Sequence, residues 1–143
     1  MTAIATTTTG TVAVARPGKV LNRTLWTLQI LLGLFLIIAS GLPKLVGQSD
    51  AVRIFHEIGF GDWFRYLTGL VEVAGGAGLL VPRLSGLAAS GLSVTMVLAA
   101  ATQAFLLGAP ALAPFPLVLA VVFALIAYQR RDSIAAVREM LPR

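Results

Sequence analysis

One carboxylate stands inside an otherwise apolar stretch of this chain. Glu72 lies within GLVEVAGGAG, whose other members are apolar residues and glycines. On insertion scales, an aspartate in the middle of a membrane helix costs roughly 2.5 to 3.5 kcal/mol, and intramembrane ionisable residues usually serve a function. We therefore expect Glu72 to face the interior of a helix bundle and to handle a proton or bind a ligand. The alternative is an interhelical hydrogen bond that only fixes packing.

Three further polar residues are spaced so that helices could bring them to this carboxylate. Lys44 marks the outer end of the first apolar run, and its flexible stem can either turn inward to Glu72 or extend outward as an interfacial anchor. Ser40 lies one helical turn before it. Gln103 lies near the outer end of a later apolar run, where it either binds a ligand or forms a helix–helix hydrogen bond. Together these residues predict a small polar pocket that opens outward.

The residue types that are missing limit the chemistry. The chain has no cysteine and a single histidine, His56. Disulfides, thiolate nucleophiles and iron–sulfur ligation by this chain alone are excluded, and a lone histidine makes a poor metal site. We expect no metal, no covalently bound cofactor and no enzyme activity of the chain on its own. Redox chemistry would need a quinone or a partner protein.

The elements that must position these residues are membrane helices. The 143 residues are 57% hydrophobic and only 12% charged, with a mean hydropathy of +0.89. About 20 apolar residues cross a bilayer, so the length allows about four spans. Residues 25–42 and 64–81 predict the first two, and the uncharged residues 84–129 predict two more, with the last helix starting near Ala113. The expected fold is an all-α integral membrane four-helix bundle.

The predicted outer loop between the first two spans has a helical pattern of its own. Apolar residues recur at helical spacing between Ala51 and Ile58, opposite charged ones, and Gly59 is a stop signal. This pattern predicts a short amphipathic helix in the outer interface, over the mouth of the bundle. His56 lies on its polar face.

The basic residues predict topology and domain organisation. A net charge of +5 could suggest nucleic acid, but the basic residues flank apolar runs and form no dense patch, so we expect the lipid bilayer as the partner and no nucleic acid. We divide the chain into a disordered cytoplasmic tail (1–20), a membrane domain (21–131) and a short basic cytoplasmic tail (132–143).

The positive-inside rule places both termini in the cytoplasm of a bacterium, with four spans in its inner membrane. The counts are eight against three, with Arg16, Lys19, Arg23, Arg83, Arg130, Arg131, Arg138 and Arg143 inside and Lys44, Arg53 and Arg65 outside.

Three short elements carry a resemblance to a known family. They are SGLPKL (residues 40–45), IFHEIGF (residues 54–60) and LTGLVEVAGGAGLLV (residues 67–81). Over residues 25–128 the chain resembles the DoxX and DoxX-like family of small four-span membrane proteins. The resemblance places the family's lysine at Lys44 and its intramembrane glutamate at Glu72.

The resemblance implies a function linked to redox chemistry or stress. Members of the family have been connected with thiosulfate:quinone oxidoreduction, with membrane complexes that detoxify oxidants, and with catechol or quinone resistance. Our leading hypothesis is an accessory subunit whose pocket binds a quinone-like or phenolic molecule, or which supports a membrane oxidoreductase or forms a homo-oligomer. The alternatives are a non-catalytic assembly factor or scaffold that docks another membrane protein through glycine-lined faces, and a small transporter.

Overall fold

Six helices pack together in the computed structural model, which describes residues 17–140. Four are long and two are short, and the described residues contain no strand. This arrangement confirms the predicted all-α membrane bundle. The helices are α1 (Lys19–Val46), α2 (Ser49–Ile58), α3 (Asp62–Leu80), α4 (Ser85–Leu106), α5 (Pro114–Gln129) and α6 (Arg131–Met140).

The structure describes each of the two predicted tails only in part. Residues 1–16 and 141–143 lie outside the described residues, so the predicted disordered tail over 1–20 is covered only at its end, where α1 already begins at Lys19. The predicted basic tail, from residue 132 onward, lies in α6 up to Met140. The predicted start of the last long helix at Ala113 is confirmed, because Ala113 is its N-cap residue.

Three of the long helices have the length and apolar character needed to cross a membrane: α1 with 28 residues, α4 with 22, and α5 with its preceding 3₁₀ turn, together 20. Their outward faces expose large apolar side chains, among them Leu31, Val94 and Val118, each about three-fifths exposed. Such faces suit a hydrocarbon solvent. The chain is therefore an integral membrane protein. The fourth long helix, α3, has 19 residues, a length of about 28 Å at 1.5 Å per residue, and carries Arg65 and Glu72.

Helix α1 contains a widened stretch just before its C-terminal end. Residues Phe35–Gly41 form π-helical turns, and ordinary α-helix resumes over Leu42–Val46. Pro43 has no N–H for the carbonyl four residues earlier, and its ring would collide with that carbonyl in a regular α-helix. We attribute the wider turns to this proline, since an i+5 bonding pattern relieves both problems. Ser40 lies within the stretch, and Lys44 follows it by one turn.

Helices α1 and α3 touch backbone to backbone at two glycine pairs. A Cβ atom added at Gly76 would lie 2.7 Å from the carbonyl oxygen of Gly33, and one added at Gly69 would lie 3.1 Å from that of Gly41. Small residues allow membrane helices to approach this closely. The approach explains the glycines at positions 69 and 76, on either side of Glu72, and it brings the polar residues of α1 within reach of α3.

Helices α4 and α5 form the other half of the bundle. Leu92 and Met96 of α4 meet Phe123 and Ile126 of α5 in the buried core, where Phe123 is fully enclosed. A hydroxyl ties the pair together, because Ser93 donates a hydrogen bond through Oγ to a backbone carbonyl of α5, 2.8 Å away. Helices α4 and α5 supply apolar walls, whereas Lys44, Arg65 and Glu72 lie on α1 and α3.

Candidate functional site

The carboxylate of Glu72 meets α1 inside the bundle. Glu72 Oε2 lies 2.6 Å from Lys44 Nζ in an ion pair and accepts a second hydrogen bond from Ser40 Oγ at 3.0 Å. Glu72 is 5% exposed, and the side chain of Lys44 is 18% exposed. The structure thus brings together three of the four predicted site residues. Of the two orientations considered for Lys44, it shows the inward one.

The hydrogen bonds leave one acceptor unused at this site. An ammonium group has three N–H donors. Lys44 Nζ directs them to Glu72 Oε2, to Ser40 Oγ at 2.9 Å and to the Ser40 carbonyl at 3.2 Å, so all three are occupied. In contrast, Glu72 Oε1 accepts no hydrogen bond from any described residue, and it is not fully enclosed. The site therefore offers a fixed carboxylate oxygen as an acceptor but no free ammonium donor.

Arg65 belongs to the same cluster, although its site role was not predicted. The side chain is only 3% exposed; its NH1 group donates to the backbone carbonyl of Lys44, and its NH2 group lies 3.5 Å from Asp62 Oδ1. Its Nε is buried without a hydrogen-bond partner among residues 17–140. From the sequence, Arg65 is expected only as one of three basic residues on the outer side. Its spacing, seven residues or two turns before Glu72, would have placed both on one helical face.

Gln103 is not joined to this cluster. It lies in a second π-helical stretch, Thr102–Leu106 at the end of α4, where its backbone carbonyl accepts a hydrogen bond from the Ala109 N–H at 2.8 Å. Its side chain forms no hydrogen bond with the residues that the structure describes. A ligand-binding role for Gln103 stays a prediction.

The short helix α2 connects the C-terminal end of α1 to the N-terminal end of α3, and it forms where the amphipathic pattern predicts a helix. It is entered through Gly47 and left through Gly59, both with positive φ angles (73° and 82°) that favour glycine. Its one buried residue, Phe55, packs on Phe64 of α3 with ring centroids 5.7 Å apart. His56, the next residue, is exposed. Within residues 17–140, no group of three or more His, Asp or Glu side chains could hold a metal ion.

A second polar network lies at the other end of the bundle, and the sequence analysis did not predict it. Gln29 is fully buried; its Nε2 donates to the Leu79 carbonyl at the end of α3, and its Oε1 accepts from Arg130 Nε, both at 2.9 Å. Arg130 also donates through NH1 to Asn22 Oδ1 at 2.8 Å. This network ties α1 to the ends of α3 and α5.

Replacing Gln29 with leucine is expected to destabilise the protein. The change leaves the Leu79 carbonyl and Arg130 Nε without partners, and each unpaired buried group costs about 1–3 kcal/mol. Unfolding in detergent with increasing dodecyl sulfate measures the loss. Gln103→Leu is the matched control, because that amide forms no hydrogen bond with the described residues, and its effect should be within about 0.5 kcal/mol. Equal losses in the two variants would contradict this account of the network.

Comparison with known proteins gives one match. The model of the DoxX-like family matches residues 27–126, which include Ser40, Lys44, Arg65 and Glu72 and most of the four long helices. No curated protein and no solved structure matches the chain. The match agrees with the resemblance seen in the short sequence elements around Lys44 and Glu72.

Proposed function

Since this chain belongs to the DoxX-like family of membrane proteins, we propose that it binds a small phenolic or quinone-like molecule at Glu72 as an accessory subunit of a membrane oxidoreductase. The observation that carries the proposal is the free Oε1 atom of a carboxylate whose other oxygen is held by Lys44 and Ser40. A buried carboxylate with one free oxygen is a strong acceptor for a ligand hydroxyl, because charge-assisted hydrogen bonds are about twice as strong as neutral ones.

The donor and acceptor pattern favours one form of the ligand. A quinone presents carbonyl oxygens, which need a donor, and the three N–H groups of Lys44 are already engaged. A phenol or a hydroquinone presents hydroxyl groups, which can donate to Glu72 Oε1. The site therefore suits the hydroxyl-bearing form, with Glu72 as the proton-accepting partner and with Lys44 and Ser40 holding the carboxylate in place.

A partner protein completes the proposal. The chain has no cysteine and one histidine, so electrons from a bound hydroquinone would pass to a membrane oxidoreductase. The lysine and arginine distribution supports a bacterial inner-membrane location with both termini in the cytoplasm, which puts the Lys44–Glu72 end on the outer side. Phenolic compounds that enter from outside would reach this end first.

Replacing Glu72 with glutamine is expected to weaken the binding of catechol by about tenfold or more, because a charge-assisted hydrogen bond contributes roughly 1.5–3 kcal/mol. Isothermal titration of the purified protein measures the change. Glu57→Gln, which removes an exposed carboxylate from α2, is the matched control and should bind as the wild type does. The dimethyl ether of catechol, which has the same ring but no hydroxyl, should bind the wild type weakly. If the ether binds as tightly as catechol, the hydroxyl proposal is wrong.

A second candidate, a scaffold that docks another membrane protein, is supported by a groove on the outside of the bundle. An open apolar groove of about 240 Å³ runs between α3 and α4 past Gly78 and Gly91. Gly75 also lines this groove, beside Leu92 of α4. Gly76 is unsuited to docking, because Gly33 of the same chain already packs against it. A scaffold of this kind would keep its partner in the Glu72→Gln variant, whereas the ligand-binding subunit would lose its ligand. A small transporter is a third candidate that no contact in the described residues favours.

A further inference from the structure

A second candidate ligand site lies at the end of the bundle opposite Glu72. An open cavity of about 280 Å³ lies between the start of α1, the end of α3 and the junction of α5 with α6. Its lining includes Asn22, Gln129, Arg130 and Asp132. Trp26 and Tyr128 stand nearby, each stacked against an arginine, as aromatic residues do at a membrane surface. The cavity is therefore at the depth of lipid headgroups.

The cavity carries one positive and one negative charge, Arg130 and Asp132, and neither has an ion-pair partner among residues 17–140. No carboxylate of residues 17–140 lies within 4.0 Å of the Arg130 guanidinium, and no basic group lies that close to Asp132. Arg130 NH2 is buried and has no hydrogen-bond partner among these residues. Burial lowers the pKa of Arg130 from the usual arginine value, which is the expected effect on a cation without a counter-ion.

Uncommitted neutral groups line the same cavity. Asn22 accepts from Arg130 through Oδ1, which leaves its Nδ2 donor unused within the described chain. The amide of Gln129 is half-buried and forms no hydrogen bond with these residues. An arginine with two amide donors is a suitable set for a phosphate group, and a nearby carboxylate is a suitable partner for an ammonium group.

We propose that this cavity binds the headgroup of a zwitterionic aminophospholipid. The phosphate lies against Arg130, Asn22 and Gln129, and the primary ammonium group donates to Asp132. The charges of the cavity sum to zero, so a headgroup with one charge of each sign matches it better than a purely anionic one. A choline headgroup has the same charges, but its trimethylated nitrogen has no N–H to donate. The bound lipid would join α1 to the α5–α6 junction at the membrane surface.

Native mass spectrometry of the full-length protein tests the proposal. The protein is released from micelles that contain equal amounts of phosphatidylethanolamine, phosphatidylcholine and phosphatidylglycerol, and the retained lipid is identified. We expect the wild type to retain phosphatidylethanolamine about tenfold over phosphatidylcholine, because only the former forms the charge-assisted hydrogen bond to Asp132. Equal retention of these two lipids, or a preference for phosphatidylglycerol, would overturn the proposal.

Two single-residue variants separate the headgroup contact from a structural effect. Asp132→Asn changes an exposed side chain that forms no hydrogen bond in the described part of the chain, so folding should be unaffected while the preference falls to less than about twofold. Arg131→Gln, the neighbouring exposed cation that stacks on Tyr128, is the control and should keep the preference. An unchanged preference in Asp132→Asn would contradict the assignment of the ammonium contact.

A competition experiment distinguishes the lipid from a soluble phosphoester. Free O-phosphoethanolamine has the same charged groups but no acyl chains. We expect no displacement of the lipid at equal concentration, because the chains also bury apolar area against the exposed faces of the helices. Displacement at equal concentration would show that the headgroup alone determines binding and would overturn the lipid as its source.

Discussion

Replacing Lys44 with methionine is expected to lower the free energy of unfolding by about 3–5 kcal/mol, because Glu72 is then left as an unpaired charge in the bundle. The carboxylate is 5% exposed and depends on Lys44 for its only cationic partner within 4.0 Å among the described residues. The double variant Lys44→Met with Glu72→Leu removes both charges at nearly constant volume. It should recover most of the loss, since apolar replacements of a buried ion pair are often neutral or stabilising.

Unfolding by dodecyl sulfate in mixed micelles, followed by circular dichroism, measures these differences. Arg53→Met is the matched control, because Arg53 and Asp50 form an ion pair at 3.4 Å whose side chains are 66% and 70% exposed. Exposed pairs of this kind contribute at most about 1 kcal/mol. If the double variant is no more stable than Lys44→Met, the stability lost in Lys44→Met does not come from an unpaired charge on Glu72.

Gly76→Ala is expected to destabilise the protein by about 1–3 kcal/mol, the usual cost of extra volume in a packed interior. The added Cβ would lie 2.7 Å from the Gly33 carbonyl and 2.9 Å from a side-chain carbon of Ile37, so α1 and α3 must separate. The methyl group of the same substitution at Gly91 on α4 meets no atom of the described chain within 4 Å. Gly91→Ala should be neutral or stabilising by up to about 1 kcal/mol, because alanine has the higher helix propensity.

The two alanine variants differ only in what surrounds the new methyl group, and their comparison under identical detergent conditions isolates the α1–α3 contact. Separation of these helices would also lengthen the Lys44–Glu72 distance, so Gly76→Ala should weaken catechol binding while Gly91→Ala should not. If both variants were equally stable, the close backbone approach would not be a determinant of this fold.

The helices were predictable because apolar runs of the right length have few alternatives in a membrane. Glu72 could be placed facing the bundle interior, because its neighbours at helical spacing are small and allow another helix to approach. The orientation of Lys44 could not be predicted, because it depends on the distance between two helices and on the wide turns before Pro43. The Gln29–Arg130 hydrogen bond joins residues 101 positions apart, and apolar patterns do not fix how α1 and α5 align along their axes.

The network around Arg65 escaped prediction for a related reason. An arginine near a helix end is compatible with an exposed interfacial position, and hydropathy cannot distinguish that position from a buried one. Its contact with the Lys44 carbonyl exists only because α1 ends beside the first turns of α3. Charged residues two turns apart on one face are the signal that could have indicated the cluster.

The glycine contacts between α1 and α3 also lie between the two polar networks of the bundle. Gln29 and Ser40 are 11 residues, or about 16 Å, apart along α1, and Gly33 packs against Gly76 between them. Apart from Gln29 and Ser40 themselves, this segment of α1 holds only apolar residues and glycine. A proton accepted by Glu72 would therefore return to the side from which it came. If Glu72 accepts protons as proposed, that chemistry would not by itself carry protons across the membrane.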